Sequence, residues 1–148
     1  MAHGKYTAST LVKQAYDAHF DPALPVLSIR LSAPAELSSG EWLTAIVDTG
    51  ADGTLVPTAY LEVAEAIGVG DAILRSVLGE SREVHLFEVD LHFDGLTLPG
   101  VLVAADDQGS EVLLGRNVLN KLILLLDGLS GQTEFFCVAA AVALTRLP

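Results

Sequence analysis

One stretch of this chain, Ala45-Ile46-Val47-Asp48-Thr49-Gly50-Ala51-Asp52-Gly53-Thr54-Leu55-Val56-Pro57, limits its fold more than any other. An apolar, β-branched run predicts a buried strand, and a carboxylate follows it at once. A carboxylate in that place is either stabilised by hydrogen bonds from the N–H groups of the next turn or kept partly neutral by desolvation. Thr49 and Gly50 suit such a turn, and Thr54-Leu55-Val56 predicts a second short strand that Pro57 ends. Asp-Thr-Gly is also what an ordinary strand-to-turn junction looks like, so the tripeptide by itself assigns no chemistry.

The surrounding pattern is extended. Val26–Leu31 alternates from Leu27 onward, Ser32–Glu41 with Pro34, Ser38, Ser39 and Gly40 predicts a loop, and Trp42–Val47 predicts the strand that pairs back antiparallel. Thr58–Ile67 places Leu61, Ala64 and Ile67 at helical spacing with Gly68 as terminator, the only long helix expected outside the N-terminal stretch. Ile73–Phe93 predicts a long hairpin turning at Gly79-Glu80-Ser81. In its second arm Val84 and Leu86 share one face, whereas Phe87, Val89, Leu91 and Phe93 share the other. That flip predicts a bulge or a change of environment between Leu86 and Phe87. Further strands are expected at Leu98–Ala104 and Val112–Leu114, a helical turn at Arg116–Lys121, and a closing hairpin from Leu122–Leu126 to Gln132–Val138.

The 148 residues suffice for one domain, and 51% hydrophobic residues provide the apolar surface to fold it. Eight Lys and Arg against 19 Asp and Glu leave a net charge of −11, a field that repels phosphate backbones and anionic lipid, so neither nucleic acid nor membrane is expected as a partner. The longest apolar runs, Leu122–Leu126 and Phe135–Leu144, fall short of the ~20 residues that cross a bilayer. The first 25 residues contain no uninterrupted apolar segment of a secretory signal, and the expected location is cytoplasmic. A single cysteine, Cys137, allows no intrachain disulfide and no thiolate metal cage.

The Asp48 segment acquires meaning from a second element, Val112-Leu113-Leu114-Gly115-Arg116-Asn117-Val118-Leu119, and from the glycine-tipped hairpin between the two. Taken in this order, the three parts resemble the retropepsin-like aspartic proteases over about Leu27 to Phe136. The resemblance implies an all-β half-barrel with a flap hairpin and one or two short helices. Residues 26–148 would be the protease domain and residues 1–25 an N-terminal extension. By position, Asp48 would be the catalytic aspartate and Thr49 would brace the loop against its twin in a partner subunit. Asp52 and Arg116 would form a supporting ion pair. Gly50, Ala51, Asp52 and the flap-tip Gly79 would meet substrate. Retroviral flaps carry more glycines than this tip, and Gly53 stands where a polar side chain often contributes to substrate selection. Arg116 at the positive end of its own helix also calls for a specific partner on physical grounds.

Aspartic hydrolysis of a peptide needs two carboxylates that share a proton, one activating water and the other protonating the carbonyl. One Asp-Thr-Gly is present, so the resemblance implies a homodimer in which two Asp48 side chains meet at a two-fold axis and hydrolyse a peptide or protein substrate. Gln132–Ala139 is the C-terminal strand that such dimers commonly interleave. No cofactor is implied and no metal is expected: His3, His19, His85 and His92 lack ligand spacing, and Asp106-Asp107 lacks that of a calcium loop. Gly-x-Ser-x-Gly, Walker-type and Gly-x-Gly-x-x-Gly motifs are absent. The rival expectation is a non-catalytic peptide-binding or dimerisation module that retains this fold.

Overall fold

The computed structural model describes residues 6–37 and 40–140. Ten strands and two short helices follow one another: β1 (Tyr6–Ala15), β2 (Val26–Ser32), β3 (Leu43–Val47), β4 (Thr54–Pro57), α1 (Thr58–Val63), β5 (Ile67–Arg75), β6 (Ser81–Phe93), β7 (Leu96–Asp106), β8 (Val112–Leu114), α2 (Arg116–Leu119), β9 (Ile123–Asp127) and β10 (Gln132–Ala140). The expected all-β class holds. None of the helices described is long and apolar enough to cross a membrane.

Seven strands form one sheet in the order β2-β3-β8-β4-β7-β6-β5, and β2 also pairs with β6. The long β6 makes this possible by using one edge twice. Its residues Ser81–Glu88 pair with β5, and Asp90–His92 pair with β2. Six strands thereby close on themselves, and β5 with the facing part of β6 projects as a hairpin. Closure leaves few free edges. Inside it lie Leu27, Ile29 and Leu31 of β2, Val47 of β3, Val89 and Leu91 of β6, Val101 and Val103 of β7 and Leu114 of β8. Burying a side chain of this size contributes about 1.5–3 kcal/mol.

The second sheet, β1-β10-β9, is made by the two ends of the described chain. Phe135 of β10 reaches from it into the core, where its ring lies 5.4 Å from that of Phe93. Residues 6–15, read in the sequence as part of an extension, pair along nearly their whole length with Gln132–Ala140. Gln132–Phe136 has β9 on its other side. Both edges of Gln132–Phe136 are therefore occupied within one chain, whereas the remainder of the strand expected to interleave, from Cys137 onward, pairs with β1 alone.

Three local expectations are corrected. The helix starting at Thr58 ends at Val63 rather than Ile67. Glu65 takes a left-handed φ of 53°, and the N–H groups of Glu65 and Ala66 donate to the carbonyls of Glu62 and Leu61. This is a Schellman ending with glutamate at the position usually held by glycine. Ile67 is thereby released to open β5, so the hairpin is longer than Ile73–Phe93. Its tip is the loop Val77-Leu78-Gly79, closed by Ser76 N–H donating to Glu80 O at 2.8 Å, and Gly79 there has φ 84°. A three-residue hairpin loop with its last residue left-handed explains why glycine stands at that place. The expected irregularity at Leu86/Phe87 is present on the partner strand, where Gly68 and Gly70 pair with Phe87 and Leu86 and Val69 is left over.

Candidate active site

Parallel pairing of β3 with β8 sets Ala45, Ile46 and Val47 beside Val112, Leu113 and Leu114. The ladder continues one step further, as Asp48 N–H donates to Leu114 O at 3.1 Å. Asp48 thus begins where β3 ends, with its backbone fixed by β8. Its carboxylate accepts the Gly50 N–H at 3.0 Å, and its carbonyl accepts the Ala51 N–H at 3.3 Å. The side chain is half-buried. A carboxylate with one hydrogen bond of its own and water access keeps acceptor sites open for a ligand.

The rest of the loop is tied to the segment after β8. Arg116 N–H donates to Ala51 O at 2.9 Å, and Asn117 N–H donates to Asp52 O at 3.1 Å. The Arg116 guanidinium donates to Thr49 O at 2.8 Å and forms an ion pair with the Asp52 carboxylate. The partner that the helix-start position of Arg116 demanded is therefore Asp52. Both side chains are largely exposed, so the pair is worth little as stability and more as a fixed geometry.

Thr54, Gly115 and Asn117 complete the brace. Thr54 is buried; its hydroxyl donates to Asn117 Oδ1 at 2.8 Å and accepts the Gly115 N–H at 3.1 Å. Asn117 also donates from Nδ2 to Leu102 O at 2.8 Å. A Cβ on Gly115 would come within 2.2 Å of Gly53 O, so glycine at 115 lets the backbones of loop and helix start touch. At Gly53, which departs from the family pattern, a Cβ would meet nothing within 4 Å, so packing does not require glycine there. Sequence reasoning gave none of Thr54, Gly115 or Asn117 a part in the site. The available signal was polar residues, Thr54 and Asn117, placed against otherwise apolar strand and helix positions.

Register also decides which face of the barrel Asp48 shares. Ile46, Leu113, Leu55, Ala104 and Leu86 are successive partners across β3, β8, β4, β7 and β6. Paired residues point to one side of a sheet, and their chain neighbours point to the other. The neighbours Val47, Leu114, Val56 and Val103 fill the core. The row itself stays outside that cluster, with Leu55, Leu86 and Leu113 only half-buried. Asp48 lies two residues beyond Ile46 on this second, open apolar face. Gly79, the remaining predicted site residue, stands at the hairpin tip with nothing within 4 Å of where its Cβ would be. The structure thus gathers Asp48, Thr49, Gly50, Ala51, Asp52 and Arg116 into one braced loop and leaves Gly79 apart from it.

Near the tip end of the hairpin, Arg82 Nη2 donates to Asp106 Oδ1 at 3.0 Å. Burial pushes the Asp106 carboxyl upward, but Arg82 and the N–H groups of Gln108 and Gly109 outweigh it and hold it below the usual carboxylate range. On the exposed side of the hairpin, the hydrogen bond to Asp71 raises the His85 imidazole above its ordinary value. His92 lies between Ser32 Oγ and Thr97 Oγ1, at 2.7 and 3.0 Å. Among the described residues no three His, Cys, Asp or Glu side chains converge as a set of metal ligands.

No family model and no curated protein matches the sequence. Solved structures do match. A retropepsin-like aspartic protease from Rickettsia conorii aligns with a TM-score of 0.61 at 11% identity, covering 95% of this chain and 100% of that one. EIAV protease, in complex with the inhibitor HBY-793, aligns with a TM-score of 0.53 at 20% identity, covering 73% of this chain and 93% of the other. A foamy viral protease-reverse transcriptase bound to an RNA/DNA hybrid aligns with a TM-score of 0.51 at 18% identity, over 66% of this chain and 12% of that longer one. What is shared at such identities is the path of the backbone, and by closed sheet, braced loop and projecting hairpin together this chain has the retropepsin-like fold.

Proposed function

We propose that the chain is an aspartic endopeptidase that works as a homodimer, with Asp48 of each copy as the catalytic residue. The observation that carries this reading is the placement of Asp48: a half-exposed carboxylate at the end of a buried strand, on the open apolar face, with its loop held by hydrogen bonds from β8 and α2. Fixed geometry of this kind is what acid–base catalysis needs.

In the proposed step two Asp48 carboxylates share one proton, since like charges a few ångströms apart do not both ionise readily. The ionised member takes a proton from water as its oxygen attacks the peptide carbonyl. The protonated member gives its proton to the carbonyl oxygen. The resulting gem-diol then collapses with the C–N bond breaking and a proton passing to the amine. Thr49 and the Asp52–Arg116 pair hold the loop, and Gly50, Ala51 and Gly79 offer backbone to the substrate. The contacts between copies come from surfaces other than Gln132–Phe136, whose edges are occupied.

Asp48→Asn, an isosteric change, is expected to lower peptide cleavage by at least ~10³-fold while leaving the sedimenting species and the thermal midpoint in place. The wild-type chain should sediment as a dimer at micromolar concentration, and its cleavage should be inhibited by pepstatin. Turnover that survives Asp48→Asn would remove Asp48 from the mechanism. Peptide binding without turnover in the wild type would instead identify the non-catalytic module.

A further inference from the structure

The row Ile46-Leu113-Leu55-Ala104-Leu86 crosses five strands, or about 19 Å at the usual ~4.8 Å spacing, close to the rise of six residues of extended peptide. Charges border it on both sides. Two residues before Leu113 stands Glu111, and two beyond Ala104 stands Asp106. On the other flank Asp48 lies two beyond Ile46 and Glu88 two beyond Leu86. Two guanidinium groups approach these flanks, and each is already engaged by an aspartate of its own: Arg82 by Asp106 and Arg116 by Asp52. Among the described residues, Asp48, Glu88 and Glu111 have no cation. Glu111 is exposed and makes no hydrogen bond or ion pair among the described residues.

Building on the proposed peptidase reading, we infer that this face takes extended apolar peptides carrying a lysine or arginine, and that Glu111 is the specificity-determining residue that meets the cation. An apolar floor contributes affinity for aliphatic side chains, whereas an uncompensated carboxylate at its border discriminates by charge. Glu88 is the weaker candidate because its carboxylate lies over Gly100, about 3.1 Å from where a Cβ on that glycine would stand. The net charge of −11 favours the same substrates at longer range.

The test uses the full-length Asp48→Asn chain and fluorescein-labelled octapeptides of valine, leucine and alanine with one central lysine or one central glutamate, followed by fluorescence anisotropy. The lysine peptide is expected to bind about fivefold more tightly at low salt, as befits one solvent-exposed ion pair, with the preference shrinking at high salt. Adding Glu111→Gln should level the two affinities, and Glu111→Lys should invert them. Because Glu111 is exposed, neither change should move the thermal midpoint. Equal affinities for the two peptides, no binding of either, or a preference unchanged by Glu111→Lys would overturn the inference. Binding needs no turnover, so a wild-type chain that cleaves nothing while Asp48→Asn still prefers lysine would refute the peptidase reading and leave this one standing.

Discussion

Two loops carry the proposed chemistry, and they are built in opposite ways. The segment Asp48–Gly53 is held by backbone hydrogen bonds to Leu114, Arg116 and Asn117, by the Arg116 guanidinium and by the contact of Gly53 with Gly115. The segment Ser76–Glu80 has two backbone hydrogen bonds, both internal, and one from Glu80 N–H to Ser76 Oγ. Val77 and Leu78 at its tip are 107% and 88% exposed. A carboxylate that must meet a water and a carbonyl within fractions of an ångström needs the first construction. In the proposed peptidase the hairpin tip would meet a peptide that must enter and leave, and the second construction suits that, because motion is drawn from regions with few buried contacts.

The contrast is sharpest at Gly115. Gly115→Ala drives a Cβ into the Gly53 backbone, and neither loop nor helix start can yield without losing the hydrogen bonds between them. A loss of about 3 kcal/mol in urea unfolding is expected, with peptidase activity lost alongside. A neutral outcome would show that the loop is not rigidly held, and the comparison would collapse.

An intermediate effect belongs to the link between the hairpin arm and β7. Arg82→Gln removes the charge-assisted hydrogen bond to Asp106 and is expected to cost about 2 kcal/mol at pH 7. The sign with pH follows from linkage. Asp106 is held below the usual carboxylate value in the folded chain, so its contribution is present above the unfolded value of about 4 and is lost as the pH falls through the folded one. The gap between wild type and Arg82→Gln, measured by chemical denaturation, should therefore narrow as the pH drops below about 4. A gap independent of pH would assign the loss to packing of the arginine stem instead.

At the tip the effect is smallest. Leu78→Ser should change stability by less than about 0.5 kcal/mol, because the side chain has almost no buried surface to lose. A larger shift in the thermal midpoint would mean that the tip is packed against another surface in solution and is not the loosely held loop.

Much of the braced loop was legible in the sequence. The strand into Asp48, the turn residues and the Asp52–Arg116 pair all follow from local pattern together with family resemblance, and the helix-start position of Arg116 independently required an anion. The Thr54–Asn117 connection was not legible, since each residue satisfies the other only after β4, β8 and α2 have come together. The end of α1 was missed for a different reason. Apolar spacing runs on through Ile67, and nothing local marks Glu65 as the residue that turns left-handed. The tip was misplaced by a residue or more because alternation continues across it, and only the closing pair Ser76–Glu80 fixes which residues form the loop.

By itself the sequence determined which residues alternate, where turns fall, and which carboxylate follows a buried strand, because side-chain period and turn preference are properties of neighbouring residues. The tertiary structure alone decided that Val47 points into the core while Ile46 and Asp48 share the open face. It also decided that β6 closes the sheet onto β2, and that the first strand is spent on β10. Those outcomes depend on pairing between strands far apart in the chain, and a period of two leaves both faces equally available until such pairing buries one of them.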